Sequence, residues 1–417
     1  MLDIKFIRKD PKTVEKGAKD KGIKIDINQI LEIDKDYRLL FESVQKLREE
    51  RNTLNERIKK NPNRWDKEGA QSLKQKLEKE EQNLRSSKEK LDDLLLKIPN
   101  LPLKDVPVGD ESKNKIIKKV GSPKKFDFTP RDHLELGEIL DIIDVKKAAK
   151  ISGTRFAYLK NEAVLLEYAL LQFALEILLK EGFIPLIPPV LIKTEIMKGL
   201  GYMENGGDED MFHIPKDQVT LIGTAEHAIV PLYKDEVLQK KDLPKRYVSY
   251  SPAFRRESGS YGKDTRGIIR VHQFNKVEMV SFTTEEDDEK EHEYLLSLQE
   301  KFFQLLKIPY QVVKMCTGDL GFPAARKYDI EAWLPSENKY REVTSVSTVT
   351  DFQSRRLNMR YLDGSEKKYL HVLNGTAFSM NRPIIAILEN YQQKDGSVEI
   401  PKVLQKYIGK TSIKPQK

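Results

Sequence analysis

The stretch from Phe254 to Glu278, FRRESGSYGKDTRGIIRVHQFNKVE, concentrates residue types that can bind or activate charged molecules. An arginine fork binds phosphate, a flat aromatic ring can stack on a base, and a carboxylate binds an amine or a cation. A salt-bridged surface hairpin has the same composition. Both interpretations stand until the surrounding elements are considered.

Two β-like segments rich in Val, Ile, Tyr and Phe flank this stretch, Tyr247–Phe254 and residues 268–282. The residues between them, Ser258 to Gly267, include three glycines together with Ser, Asp and Lys, which is typical of a loop. The pattern therefore predicts a strand, a long loop and a second strand.

Alternation of side chains along a strand predicts which residues act together. Arg255 and Glu257 would share one face of the first segment. Arg270, Phe274 and Glu278 would share one face of the second.

A glycine loop that could cradle phosphates is missing from the sequence. The stretch that comes nearest, Gly259–Thr265 (GSYGKDT), fails because its glycines are three apart and Asp264 follows Lys263. If a nucleotide binds here, side chains must hold its phosphates, and Arg255 is the natural candidate.

Three further stretches could complete a site. Gly182–Val190 is too proline-rich for a central strand and is predicted at a sheet edge or an interface. Gly223–Glu226 follows a short β run, and Thr224 could simply cap the helix behind it. Leu373–Pro383 ends with a proline suited to the first turn of a helix, which puts Arg382 where an anion would bind, although a carboxylate partner is equally compatible.

The length, composition and net charge of the chain limit the class of protein to which it can belong. A chain of 417 residues with 39% apolar content can build two or three domains. It has neither an apolar run of about 18 residues nor an apolar leader segment, so we expect no membrane span, no signal peptide and a cytoplasmic location. One cysteine and six histidines without ligand spacing make a bound zinc unexpected. The net charge of +8 is compatible with a polyanionic partner without requiring one.

The N-terminal part has the repeat of a coiled coil. Apolar residues recur at spacings of three and four from Tyr37 to Ile58, and the spacing resumes from Leu73 to Ile98 after a break at Asn61–Trp65. We predict an antiparallel helical hairpin over residues 28–98, with helices of roughly 45 Å. Basic residues outnumber acidic ones fourteen to nine between positions 45 and 90. The hairpin could be a spacer, a dimerisation element or an RNA-binding arm.

A proline-rich segment, Ile98–Asn114, separates the hairpin from the rest of the chain. We place domain boundaries at residues 1–104, 105–130 and 131–417. Helical stretches (161–180 and 285–306) and grouped β-like stretches (325–334, 340–349 and 369–373) predict an α+β domain with a largely antiparallel sheet.

With these features the chain resembles the bacterial-type seryl-tRNA synthetases, which are class II aminoacyl-tRNA synthetases. The resemblance spans nearly the whole chain, and the class I signatures HIGH and KMSKS are absent. Besides the basic arm and the linker IPNLP…VPVG, it rests on DHLELGE (132–138), SGTRF (152–156), KYDIEAW (327–333) and three stretches similar to the class II motifs, 182–189, 254–278 and 374–389.

The resemblance implies an architecture and partners. Residues 1–104 would bind serine tRNA through the coiled-coil arm, residues 105–130 would link the domains, and residues 131–417 would form the class II catalytic domain with its antiparallel sheet and flanking helices. The family is homodimeric, with the first motif at the interface.

The resemblance also implies residue roles for ATP. Arg255 would hold the α-phosphate, Phe274 would stack on adenine, and Arg382 would meet the γ-phosphate. Glu342 would bind ATP and Mg²⁺ with Ser345 as its partner, and Arg255, Glu342 and Arg382 would be catalytic. The remaining ATP-binding residues would be Arg256, Glu257, which would contact the adenine amino group, Val271, Val343 and Thr344.

Glu342 and Ser345 have opposite strand parity, so joint ligation of Mg²⁺ would need a bend in the strand.

The resemblance further implies a serine site. Its residues would be Thr224, Ala225, Glu226, Arg255, Glu278, Asn374 and Thr376. Thr376 stands where the family usually has serine, which adds a methyl group to the pocket.

The activity that this resemblance implies is ATP-dependent activation of L-serine, followed by transfer of the seryl group to the 3′ end of serine tRNA. Two other functions remain open. One is a class II paralogue that adenylates a small amino acid and loads it onto a carrier protein. The other is a non-catalytic regulatory paralogue.

Overall fold

A computed structural model describes residues 1–60, 64–258 and 266–415 of the chain. The chain divides into two compact units, Met1–Pro99 and Asn100–Lys417. In the described ranges, no helix combines the length and the apolar character needed to cross a membrane.

The first unit is helical. A short helical pair precedes two long helices, and Asp10 caps the second helix of that pair through the backbone N–H of Thr13 at 3.1 Å. Its helices are α1 (Ile4–Lys9), α2 (Pro11–Asp20), α3 (Ile27–Lys60) and α4 (Arg64–Leu96).

Helices α3 and α4 pack against each other and confirm the predicted coiled-coil arm. Val44, Leu47 and Leu77 are buried between them, as the repeat of three and four requires. Across the seam, Nη2 of Arg48 lies 2.8 Å from Oε1 of Glu81. Of the break predicted at Asn61–Trp65, residues 61–63 lie outside the described part of the chain.

The second unit is built on one large sheet. Its helices are α5 (His133–Ile139), α6 (Val145–Ser152), α7 (Asn161–Lys180), α8 (Thr194–Leu200), α9 (Glu226–Ile229), α10 (Asp288–Leu306), α11 (Phe352–Leu357), α12 (Asn381–Tyr391) and α13 (Lys402–Ile408). Its strands are β1 (Lys115–Val120), β2 (Ile143–Asp144), β3 (Tyr158–Leu159), β4 (Ile184–Leu186), β5 (Leu191–Lys193), β6 (His213–Ile214), β7 (Val219–Leu221), β8 (Val237–Gln239), β9 (Lys245–Phe254), β10 (Gln273–Thr283), β11 (Tyr310–Lys314), β12 (Arg326–Leu334), β13 (Lys339–Thr348), β14 (Arg360–Asp363), β15 (Glu366–Tyr369), β16 (His371–Ser379), β17 (Val398–Glu399) and β18 (Ser412–Ile413).

Eight strands form the large sheet in the order β1-β11-β12-β13-β16-β10-β9-β4. Every neighbouring pair is antiparallel except β4 and β9, which are parallel. This arrangement confirms the predicted α+β class and its antiparallel sheet. The proline-rich β4 occupies an edge, as predicted, because a proline there removes no ladder hydrogen bond that an inner strand would need.

The segment between residues 105 and 130 links the two parts of the chain and also contributes a strand to the large sheet. Within it, β1 pairs with β11 and forms the other edge of the large sheet. All but the last of its six residues are exposed, so its alternation is too weak to identify it as a strand from sequence.

Helices α7, α10 and α12 contribute to the main apolar core. Its centre is aromatic, since the ring of Phe378 on β16 lies 5.1 Å from that of Phe302 and 6.3 Å from that of Phe173. The packed core holds the central strands rigidly. The side chains that project from β10, β13 and β16 are therefore fixed in position as well.

Candidate active site

Two adjoining cavities open over the central strands of the large sheet. The first cavity, about 270 Å³, is lined by residues from β10, β13 and the start of α12. The second cavity, about 330 Å³, is lined mainly by residues near α9 and the end of β9. Five side chains line both cavities and mark their junction: Asp210, Arg255, Lys276, Lys327 and Ser345.

The structure corrects the predicted strand boundaries around Phe254–Glu278. Strand β9 ends at Phe254 and β10 begins at Gln273, so residues 268–272 form a turn rather than the start of the second strand. Arg255, Glu257 and Arg270 therefore all lie outside the two strands, and the faces predicted for them from strand alternation were wrong. Nη1 of Arg270 instead lies 3.1 Å from Oε2 of Glu257, whose backbone has a φ of +52°.

Several residues predicted to bind ATP converge on the first cavity. Arg255, Glu257, Val271 and Phe274 all line it. The guanidinium of Arg255 lies 5.5 Å from the centre of the Phe274 ring, and its Nε donates to the carbonyl of Gly223 at 3.1 Å. A cation is thus fixed beside a flat ring, which suits a nucleotide.

Arg256 lies apart from this group. It lines neither cavity, and its guanidinium stacks over Phe212 at 5.3 Å. Its backbone N–H donates to the carbonyl of Asp210 at 2.9 Å. The structure therefore gives Arg256 a packing role next to the site.

A β-bulge supplies the bend that Glu342 and Ser345 require. Glu331 pairs with Glu342 and Ile330 with Thr344, so Val343 is the extra residue of β13. One extra residue reverses the parity beyond it. Glu342 and Ser345 consequently line the same first cavity despite their odd spacing.

Glu342 forms an ion pair with Arg382, which lies in the first turn of α12 as predicted. Oε1 of Glu342 is 2.9 Å from Nη1 of Arg382. Burial acts to raise the pKa of Glu342, but the charges of Arg382 and Lys327 outweigh it and lower the pKa to about 2. The sequence allowed either a carboxylate partner or an anion site for Arg382. The two are compatible, since Arg382 pairs with Glu342 and also lines the first cavity.

Two buried carboxylates lie close to the junction, of which Glu226 lines the second cavity, whereas Glu278 lines neither cavity and contacts the lining residues Lys276 and Thr376. Glu226 and Glu278 are 4% and 1% exposed. Glu226 lines the cavity and accepts from the hydroxyl of Tyr202 at 2.6 Å and from the amide of Gln353 at 3.3 Å. Burial raises the pKa of Glu226, and the nearby charge of Glu278 adds to the effect. Buried carboxylates of this kind suit a cationic ligand.

Thr224 lines the second cavity and lies one residue before Ala225, the N-cap residue of α9, so it does not have the capping position that the sequence allowed. Its Oγ1 accepts the backbone N–H of Glu226 at the start of α9 at 3.4 Å and accepts from Nζ of Lys276 at 3.1 Å. The neighbouring Ala225 is fully buried and belongs to an apolar cluster. Of the serine-site residues predicted near α9, Thr224 and Glu226 therefore reach the cavity with their side chains.

A second bulge aligns β16 with β10. Glu278 pairs with Thr376 and Val277 with Phe378, so Ala377 is the extra residue. The hydroxyl of Thr376 donates to Oε2 of Glu278 at 3.3 Å. Thr376 lines the first cavity and Asn374 lines the second, which puts the two predicted residues on either side of the junction.

Sequence reasoning missed several lining residues. Lys276 shares strand parity with Phe274 and Glu278, so alternation alone could have found it. The rings of Tyr202 and His227 are tilted by 42° with their centres 4.6 Å apart, and burial lowers the pKa of His227 to about 3, so the imidazole ring is neutral. No sequence signal pointed to either ring.

The predicted loop residues Lys263 and Asp264 lie outside the described residues. Arg266, near the end of the predicted loop Ser258–Gly267, is described. Its Nη2 lies 3.6 Å from Oδ2 of Asp132.

The oxygen donors fit a magnesium ion that is shared with phosphates. Within the described ranges, no group of three or more His, Cys, Asp or Glu residues could hold a metal ion. The carboxylate of Glu342 and the hydroxyl of Ser345 nevertheless face one cavity. Magnesium is commonly held by one or two protein oxygens, with substrate phosphates and waters completing the shell.

Comparison with known proteins covers both units. Residues 1–102 match the family described as the seryl-tRNA synthetase N-terminal domain, and residues 211–391 match the tRNA synthetase class II core domain (G, H, P, S and T). Serine--tRNA ligases of Dictyoglomus turgidum and Dictyoglomus thermophilum are 43% and 44% identical to the chain, with all of both chains covered in each case.

Solved structures agree with this match. Seryl-tRNA synthetase from Pyrococcus horikoshii, complexed with ATP, is 39% identical, with a TM-score of 0.93 and 100% of both chains covered. The cytoplasmic serine-tRNA ligase of Naegleria fowleri, in complex with AMP, is 29% identical, with a TM-score of 0.89, and the match covers 100% of this chain and 99% of that one. Family matches in both units and relatives aligned over their full length agree, and the chain belongs to the seryl-tRNA synthetase family of class II aminoacyl-tRNA synthetases.

Proposed function

We propose that the protein is a serine–tRNA ligase. The observation that carries the proposal is the junction of the two cavities, where Arg255 lies between the first cavity, beside the ring of Phe274, and the second cavity, which is lined by the buried carboxylate of Glu226. A carboxylate held in the second cavity would meet an α-phosphate held in the first.

The reaction would proceed in two steps. A carboxylate oxygen of L-serine attacks the α-phosphorus of ATP, the bond to the bridging oxygen breaks, and seryl-adenylate and pyrophosphate form. A terminal ribose hydroxyl of serine tRNA then attacks the seryl carbonyl, loses its proton and releases AMP. Positioning and charge stabilisation suffice for both steps, so the protein needs no nucleophile of its own.

Arg255, Phe274 and Arg382 would hold the nucleotide. Arg255 would bind the α-phosphate, Phe274 would stack on the adenine, and Arg382 would meet the γ-phosphate from the first turn of α12. Glu257, Val271 and Thr344 line the same cavity and would complete the nucleotide site together with Val343. Glu342 and Ser345 would hold Mg²⁺, which would supply positive charge to the phosphates when bound.

Glu226, Glu278 and Thr224 would bind the ammonium and hydroxyl of serine, together with Asn374 and Thr376. Alanine lacks the hydroxyl and would leave buried polar groups unpaired, which is a strong basis for rejection. The methyl group of Thr376 would also limit the space for threonine.

The proposal extends to partners and location. Residues 1–104 would bind serine tRNA, residues 105–130 would connect the two domains, and residues 131–417 would catalyse the reaction in the cytoplasm.

A homodimer would form through the β4 region, where Ile187 is 92% exposed and Ile184 is 48% exposed. Large apolar side chains exposed next to an open sheet edge favour a protein partner over water.

Two other functions fit the fold less well. A carrier-loading paralogue would have little use for an arm with helices of 34 and 33 residues. A regulatory paralogue would be expected to lose charged site residues, yet Arg255, Glu278, Glu342 and Arg382 are all in place.

Serine-dependent exchange between ATP and labelled pyrophosphate is the decisive experiment, because it reports the first step without tRNA. We expect exchange with L-serine that exceeds exchange with L-alanine by about 10⁴-fold, since the missing hydroxyl is penalised. Exchange with a different amino acid and none with serine would refute the assignment. Exchange with serine but no charging of serine tRNA would favour the carrier-loading alternative.

A further inference from the structure

Lys276 is a buried lysine for which none of the roles above accounts; burial lowers its pKa, and the charge of Glu278 opposes that effect. It lies on β10 between Phe274 and Glu278, is 7% exposed and lines both cavities. Its Nζ is 2.5 Å from Oε2 of Glu278 and donates to Oγ1 of Thr224 at 3.1 Å. One ammonium therefore joins two of the side chains that would bind serine.

The charges around Lys276 do not balance within the protein. Two buried carboxylates, Glu226 and Glu278, face it, and Lys276 is the cation paired with Glu278. Glu226 accepts from the neutral donors Tyr202 and Gln353. Leaving a buried carboxylate without a cation is costly, so this arrangement has room for one further positive charge.

The other groups near Lys276 do not supply that charge. Lys327 lines the junction but is paired with the buried Asp329 at 3.4 Å, and Arg255 lines it where the phosphate of the nucleotide would neutralise it. Asp210 adds negative charge at the same junction, and His227 is neutral because burial lowers its pKa to about 3. Tyr202 carries no charge, since burial raises its pKa.

We propose that Lys276 is a positioning residue of the amino-acid subsite: it supplies one of the two cations that Glu226 and Glu278 require, and leaves the second place to the ammonium group of the substrate. The proposal rests on the function proposed above and adds a basis for selectivity. Lys276 holds Glu278 and Thr224 at fixed positions. The subsite then favours ligands that arrive with a positive charge.

The pKa of Glu226 gives the proposal a distinctive consequence. Burial raises this pKa, and the charge of Lys276 opposes the increase. Without Lys276 the pKa of Glu226 should rise further, so that its carboxyl group takes up a proton more readily as the pH falls. Serine binding would then depend on pH more strongly than in the wild-type protein.

Replacing Lys276 by methionine tests this consequence, because methionine has similar length and no charge. For Lys276→Met, we expect the KM for serine in pyrophosphate exchange to rise at least about tenfold at pH 6.5, with the KM for ATP within about twofold of wild type. The ratio of kcat/KM for serine in Lys276→Met to that in the wild-type protein should increase several-fold between pH 6.5 and pH 8.5. A purely structural role would not produce this increase.

A double variant tests the charge count directly. Lys276→Met combined with Glu226→Gln removes one charge of each sign, so the double variant should be more stable than Lys276→Met and should lose the added pH dependence. If Lys276→Met does not fold, the double variant must fold for the proposal to stand. Equal destabilisation of the single and double variants would overturn it.

Arg246→Met is the matched control. Arg246 lies on β9, lines neither cavity and forms a two-pronged ion pair with Glu291 at 2.6 and 2.7 Å. It should lose stability without any change in the pH profile for serine. The proposal is overturned if Lys276→Met keeps the wild-type KM for serine and the wild-type pH profile. Lack of exchange in the wild-type protein would instead refute the proposed function.

Discussion

Oε1 of Glu342 lies 2.9 Å from Nη1 of Arg382, and this pair joins β13 to the first turn of α12 beside the first cavity. The same Nη1 also donates to the backbone carbonyl of Glu342 at 3.1 Å. An arginine held at two points is already oriented before an anion arrives. A phosphate would share this guanidinium with Glu342, and the loss of orientational freedom on binding would be small.

Arg382→Met should destabilise the fold in a pH-dependent way. The folded-state pKa of Glu342 is lowered from 4.5 to about 2, against the tendency of burial to raise it. The pair therefore stabilises the fold above pH 4.5, and this contribution is lost as the pH falls toward 2. Because Glu342 is partly exposed, we expect a loss of less than about 1 kcal/mol at pH 7. Urea unfolding should show the difference from wild type shrinking between pH 5 and pH 3, whereas a constant difference would contradict the assignment.

Gly267→Ala should disturb the nucleotide site through His133. Gly267 has a φ of +75°, and an added Cβ would lie 2.1 Å from Nε2 of His133, the atom that accepts the backbone N–H of Ile268 at 3.3 Å. The clash would displace the turn that leads to Val271 and Phe274. We expect a higher KM for ATP and a loss of about 1–3 kcal/mol in the free energy of unfolding.

Gly409→Ala separates the clash from backbone strain. Gly409 has a similar φ of +71°, but an added Cβ there would have no heavy atom within 4 Å. The control should therefore lose stability through its backbone alone and keep the wild-type KM for ATP. Equal effects of the two substitutions would show that the contact with His133 is unimportant.

Thr376→Val should weaken activation of serine, because the hydroxyl of Thr376 contacts the carboxylate of Glu278. Thr376 is 3% exposed and its hydroxyl donates to Glu278 at 3.3 Å. Valine keeps the shape and removes the donor, which leaves a buried carboxylate oxygen less well satisfied. We expect kcat/KM for serine to fall about tenfold in pyrophosphate exchange. Thr376→Ser, which keeps the hydroxyl, is the matched control and should remain within about threefold of wild type.

Much of the fold followed from local patterns in the sequence. Helix α7 occupies the predicted range Asn161–Lys180, the heptad repeat became α3 and α4, and the proline-rich run became the edge strand β4. These features depend on periodicity and on backbone chemistry, which neighbouring residues encode. The position of Arg382 at the start of α12 followed from the proline after it.

The details of the site depended on contacts between distant residues. The bulges at Val343 and Ala377 are set by the register between strands, so the parity of one strand could not reveal them. The partners of Glu226 come from Tyr202 and from Gln353, which are 24 and 127 residues away along the chain. The sequence could identify the carboxylate of Glu226 as a candidate. It could not predict the residues around this carboxylate, which determine its protonation state.

Shortening the arm should separate amino-acid activation from tRNA charging. Arg48 and Glu81 face each other across α3 and α4, so a short Gly-Ser turn from residue 48 to residue 81 removes the distal hairpin at a natural crossing point. The catalytic unit is untouched. We expect wild-type pyrophosphate exchange and a loss of at least about 100-fold in kcat/KM for serine tRNA, because the proposed contacts of the arm with tRNA phosphates would be removed. Unchanged tRNA charging would contradict the proposed role of the arm.

Ile187→Glu should separate the proposed dimer. Ile187 is 92% exposed, follows the edge strand β4, and lies in a stretch with the exposed Ile184. A buried carboxylate at an apolar interface would cost several kcal/mol, so light scattering should show a monomer where the wild-type protein is a dimer.

Ile151→Glu is the matched control, because this 74% exposed isoleucine lies on α6 rather than on β4. It should leave the mass in solution unchanged. A wild-type monomer, or a dimer that persists in Ile187→Glu, would place the interface elsewhere.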